Sequence, residues 1–97
     1  VLSDADRDRV VVVDLASRGV QAIALDPGAE PGRLAEDAAG TVHVVLRRSG
    51  EVVSVRPGET VVSARQRVCA RPRGIAYDAP RDALHVACAD GTLVTLS

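Results

Sequence analysis

The sequence predicts an all-β fold made of repeated four-stranded antiparallel units, and three observations carry that prediction. The 97-residue chain repeats itself when slid by about 41 positions. Val11, Val52 and Leu93 then coincide, as do Val12, Val53 and Val94; Asp37 falls on Asp78, Gly50 on Gly91 and Val20 on Val61. With one residue inserted in a turn, His43 meets His85 and Val44 meets Val86. Second, the apolar segments are short, rich in valine and alternating, as half-buried strands require. Third, they are separated by "DAAG", "RRSG" and "RPGE", which hold the Gly, Asp and Pro of tight turns. Four short strands in about forty residues form the unit of a β-propeller blade.

The elements follow in order, with strands A (inner) to D (outer). Leu2 and Ser3 read as the end of a B strand, Arg9–Leu15 as C and Val20–Leu25 as D. Near "AEPGRLAED" the spacing permits a short helical turn. "GRLAED" supplies an A strand over Arg33–Asp37, "TVHVVLRR" a B strand over Thr41–Arg47 and "EVVSVRP" a C strand over Glu51–Arg56. "TVVSARQ" supplies D over Thr60–Arg65. The next A, B and C strands are Gly74–Asp78, Ala83–Cys88 and Gly91–Leu96. The chain is thus a single propeller segment: residues 1–29 end one blade, 30–70 form a complete one and 71–97 give the first three strands of the next. Blades bury their faces only against neighbours, so a ring of four to eight is expected, roughly 160–330 residues. The absence of Met suggests an excerpt or a processed or engineered piece. The other blades then belong to a longer chain or to further copies of this one.

"PRGIAYDAPRDALHVACADGTLVTL" resembles the bacterial YVTN-type propeller repeat, with "ALHVAC" at the strand that usually reads "LYVAN" and His85 in the customary Tyr place. The resemblance spans most of the chain. It implies the propeller architecture and says little about chemistry.

Composition narrows the function. Tyr77 is the one aromatic residue, so the core must be built from small aliphatic side chains. Net charge is −1, which predicts neither a nucleic-acid nor a membrane-surface partner, and no apolar run is long enough to span a bilayer. Cys69 precedes an A strand and Cys88 ends a B strand. A strict register sets them about four residues apart, so they are either a disulfide, if the D–A connection folds back, or two buried thiols. A disulfide would place the protein in an oxidising, extracytoplasmic compartment. The histidines and cysteines lack zinc-ligand spacing, and no metal or cofactor is expected.

No catalytic residue is assigned. His43 and His85 recur with the repeat, and a residue the architecture repeats is ordinarily structural; both are expected to pack between blades. Asp37 and Asp78 also recur and read as turn formers rather than a paired acid and base. No nucleophile motif surrounds any Ser, and "VVVVDLASRG" lacks the glycine-rich turn of a nucleotide-binding unit. The arginines remain. Arg47 and Arg48 lie in a B–C loop; Arg65, Arg67, Arg71 and Arg73 lie on or beside the adjacent D–A connection, and in a propeller these loops share one face. They form either a docking surface for an acidic protein or anionic ligand, or a solvated rim offset by Asp26, Glu30 and Asp90.

The expected function is therefore a non-enzymatic scaffold or binding module. Its partners would be other blades, in the same parent chain or as a homo-oligomer, and an acidic partner on the arginine face. The rival class is a fragment of a propeller enzyme, or of a haem-associated extracytoplasmic propeller, whose active site lies in other blades.

Overall fold

The computed structural model describes residues 2–4, 9–14, 19–25, 30–59 and 62–96. Among the described residues, ten strands form three antiparallel sheets. The first sheet contains β1 (Leu2–Asp4), β2 (Arg9–Asp14) and β3 (Gly19–Ala24). The second contains β4 (Pro31–Glu36), β5 (Val42–Leu46), β6 (Glu51–Val55) and β7 (Ala64–Arg67). The third contains β8 (Pro72–Asp78), β9 (Ala83–Cys88) and β10 (Leu93–Leu96). Each sheet keeps sequence order, so every unit is a meander.

The valine alternation decides how the sheets stack. On β5 and β6, Val42, Val44, Leu46, Val53 and Val55 face one way and join Leu25, Leu34 and Val62. Val45 and Val52 face the other way and meet Val86 of the third sheet with Val68, Ile75, Val94 and Leu96. The middle sheet is thus buried on both faces, and seven of its side chains, all Val or Leu, are at most 5% exposed. Small β-branched residues suit such thin layers, because facing sheets can approach without aromatic rings between them.

Two sequence expectations are corrected. The outer strand expected over Thr60–Arg65 is Ala64–Arg67, paired with Glu51–Ser54 of β6; Thr60 and Val61 lie outside the described residues. All four residues of β7 are exposed, so burial does not pin its register, and Val62 packs on the core ahead of the strand rather than within it. The helical turn expected near "AEPGRLAED" is strand β4. A 3₁₀ turn occurs instead at Ala79–Arg81, with Pro80 inside it and Asp82 closing it in the left-handed region (φ 48°).

Candidate functional site

The strand register shows which residues of the second and third units are equivalent. Pro31 opposes Leu46 as Pro72 opposes Cys88, Leu34 opposes Val44 as Ile75 opposes Val86, and Ala35 opposes His43 as Ala76 opposes His85. The amide of Arg47 donates to the Glu30 carbonyl (3.2 Å) as that of Ala89 donates to Arg71 (2.9 Å). Residues shared by both units serve the architecture. Residues present in one copy need another reason.

The polar clusters of the sheets are shared. His43 Nε2 bonds Asp37 Oδ2 at 2.9 Å and its Nδ1 bonds Ser54 Oγ at 2.7 Å. His85 Nε2 bonds Asp78 Oδ2 at 3.0 Å and its Nδ1 bonds Thr95 Oγ1 at 3.0 Å. A carboxylate on Nε2 makes that nitrogen the donor, and in the neutral ring Nδ1 accepts from the hydroxyl. Asp37 Oδ1 also accepts the amides of Ala39 and Thr41, which closes the β4–β5 turn. The His43 bond, with those amides, holds the Asp37 carboxyl below its usual range, and His85 does the same for Asp78. Each cluster clasps a turn to strands β5–β6 or β9–β10. The sequence reading placed the histidines as packing residues; the structure gives both ring nitrogens polar partners. The missed signal was that Ser54 and Thr95 share the 41-residue spacing.

The Asp37 clasp opens on a crevice of about 390 Å³ between the second and third sheets, lined also by Val52, Tyr77, Asp82 and Leu96. Tyr77 donates its hydroxyl proton to Asp82, and that carboxylate is the main cause of its raised pKa. An Asp–His–Ser row resembles a nucleophilic triad in composition. The row recurs as Asp–His–Thr in the third sheet, a repetition that fits the structural role expected of residues the architecture repeats.

The arginines behave differently. Arg47, Arg48, Arg71 and Arg73 line one groove of about 430 Å³ with Glu30, Ala70 and Pro72. Arg47 and Arg48 sit on the β5–β6 turn, whose closing bond runs from Gly50 N to Leu46 O at 3.0 Å. Arg73 is the extra residue of a bulge between Pro72 and Gly74, a device that re-aims a side chain. None of the four guanidinium groups has an ion-pair or hydrogen-bond partner among the described residues. Their counterparts are not arginines: Arg47 matches Ala89, Arg71 matches Glu30, Arg73 matches Gly32, and the turn carrying Arg48 corresponds to Ala89-Asp90-Gly91. Arg65 instead lines the crevice and pairs with Glu51 (3.5 Å), while Arg67 stands on exposed β7 outside both cavities. Of the six arginines read as one face, four share the groove. Of the acidic groups expected to offset them, Glu30 lines the groove, Asp90 bonds the Thr92 amide in its own turn, and Asp26 lies outside the described residues.

The segment that carries Arg71 and Arg73 is covalently tied beside the groove. Cys69 and Cys88 form a disulfide with Cα atoms 6.4 Å apart. The D–A connection does fold back: Val68 N (2.8 Å) and Cys69 N (3.3 Å) both donate to Gly50 O. Gly50 has φ 75°, and a Cβ there would run into the Cys69 carbonyl, so glycine is required twice over. Among the described residues, no three His, Cys, Asp or Glu side chains converge as a metal centre would need.

Comparison with solved structures decides the architecture. The chain superposes on selenomethionine-substituted virginiamycin B lyase from Staphylococcus aureus with a TM-score of 0.70 over 96% of its length, at 10% identity. The fold is a β-propeller's. The three sheets are blades, and the chain spans 35% of that lyase's length, so the ring within this chain is incomplete. No family model and no curated protein matches the sequence.

Proposed function

We propose that the chain is a non-enzymatic propeller binding module, of the YVTN-like repeat type, that takes an anionic partner in the Arg47–Arg48–Arg71–Arg73 groove. One observation carries the reading: four guanidinium groups with no ion-pair or hydrogen-bond partner among the described residues line one groove at the junction of two blades, at positions where the sister blade has none. Like charges in a groove repel, and an anion that accepts paired N–H donors relieves that repulsion. The partner units are further blades, from a longer chain or from copies of this one. The disulfide is compatible with an oxidising, extracytoplasmic setting.

Cation-exchange retention at pH 7.5 tests the groove, because a protein of net charge −1 is retained there only if positive charge is clustered. Replacing Arg48 and Arg73 with Gln is expected to abolish retention. Replacing Arg56 and Arg81, an equal change in net charge, is expected to leave it. Equal effects of the two pairs would remove the groove as a site.

A second reading rests on the lyase named above: the chain as part of a propeller enzyme. It would gain from an activity lost in Ser54→Ala or His43→Gln while the melting temperature stays unchanged.

A further inference from the structure

We propose that the groove is a site for a compact polyanion, a ligand with two or more linked phosphate or carboxylate groups, and that the Cys69–Cys88 disulfide is the positioning element that sets its geometry. This rests on the anion-binding reading above and specifies it. The volume of about 430 Å³ lies in the small-ligand range. The four arginines come as two pairs on separate segments, Arg47 with Arg48 on the β5–β6 turn and Arg71 with Arg73 flanking buried Pro72. One small anion can neutralise one pair. Linked anionic groups can engage both at once, and they gain most when the two pairs are held in fixed relation.

Three connections hold that relation. Gly50 O binds the amides of Val68 and Cys69, which joins the turn bearing Arg47 and Arg48 to the segment bearing Arg71 and Arg73. Ala89 N binds Arg71 O at 2.9 Å. The disulfide then fixes Cys69, two residues before Arg71, to Cys88, which opposes Pro72. The link is absent from the second blade, where the residue equivalent to Cys88 is buried Leu46. The sister blade therefore keeps its fold at this position with leucine. Cys69, Arg71 and Arg73 share the five-residue stretch "CARPR", and Cys88, Arg47 and Arg48 come to it from two other turns.

The test is isothermal titration of the oxidised protein at low salt with inorganic tripolyphosphate, which can span both pairs, and orthophosphate, which reaches one. The same titrations are run on C69A/C88L, which fills the core as Leu46 does, and on R48Q/R73Q. The expected result is tripolyphosphate binding that weakens about tenfold or more in C69A/C88L, while weak orthophosphate binding stays the same, and that is lost in R48Q/R73Q. If C69A/C88L does not fold, dithiothreitol replaces it: the dithiol gives two electrons and two protons to the disulfide, leaves as its cyclic disulfide, and circular dichroism monitors the fold. Tripolyphosphate binding that is equal with and without the disulfide would overturn the positioning role and leave the groove standing. Parallel loss of both probes would also overturn it, by showing general loosening. Binding to an acidic peptide without tripolyphosphate binding would overturn the polyanion class while keeping the anion-binding reading. No binding of any anion would overturn both.

Discussion

Asp37 accepts three hydrogen bonds with two oxygens: it closes a turn through the amides of Ala39 and Thr41, and it fixes His43 against Ser54. Its folded pKa lies below the ordinary 3.8, with the His43 bond the largest cause. A depressed carboxylate contributes stability that is fully present above the unfolded value and is lost as pH falls through the folded one. Stability is therefore expected to hold down to about pH 4 and then decline, with Asp78 adding to the same acid limb through His85. Asp37→Asn should cost about 2 kcal/mol at pH 7, typical of hydrogen bonds to a charged group, and should flatten the acid limb. Urea titrations of both proteins at pH 7 and pH 3 measure this. An unchanged acid limb in the variant would show that Asp37 is not a source of it. The clasp was half legible in the sequence. Asp and His recurred visibly, but their meeting depends on cross-strand register: His43 opposes Ser54 only once β5 and β6 are paired.

Individual strands were read well where both faces are buried and poorly where neither is. β9 lies at Ala83–Cys88, where the sequence placed it, because Ala83, Leu84, Val86 and Cys88 are all buried and a slip would expose them. β7 slid because an exposed "ARQR" has no such constraint. Substitutions should follow the same division. Val53→Ala, at 0% exposure, is expected to cost about 2 kcal/mol, and Gln66→Ala less than about 0.5 kcal/mol. The turns divide likewise. Gly50 and Gly91 both have positive φ, but a Cβ at Gly91 meets nothing, whereas one at Gly50 meets the Cys69 backbone. Gly91→Ala should cost about 1 kcal/mol and Gly50→Ala clearly more. Chemical denaturation of the four variants checks the order. Similar costs at the two glycines would mean that the D–A connection does not fold back onto Gly50. The four-arginine groove was legible only as loops on one face, since sequence could not separate Arg65 and Arg67, which β7 carries elsewhere.

On the scale of the whole chain, one comparison governs what the protein does with its surface. Val45 and Val52 in the middle blade are 0% and 3% exposed because the third blade packs on them. The register assigns Ala87 and Leu93 to the equivalent positions of the third blade; Ala87 is exposed, and Leu93 is 63% exposed. The repeat thus presents on its last face the surface that is buried between its second and third blades, and it carries no charged residue on β10 to discourage pairing. The disulfide, which closes a loop of sequence separation 19 and contributes about 3 kcal/mol, steadies this blade but covers none of that face. The expected outcome is association through the third blade: light scattering should give a discrete mass above the 10.1 kDa of one chain, and Leu93→Lys should lower it toward that value. The substitution acts on an exposed side chain, so folding should survive it, and the disulfide-linked groove on the loop face should still bind its anion. A well-folded monomer at high concentration, with Leu93 in place, would mean that the small-residue faces are stable in water without a neighbour. In that case the repeat would record how the blades arose, and no further blade would be needed to complete the binding module.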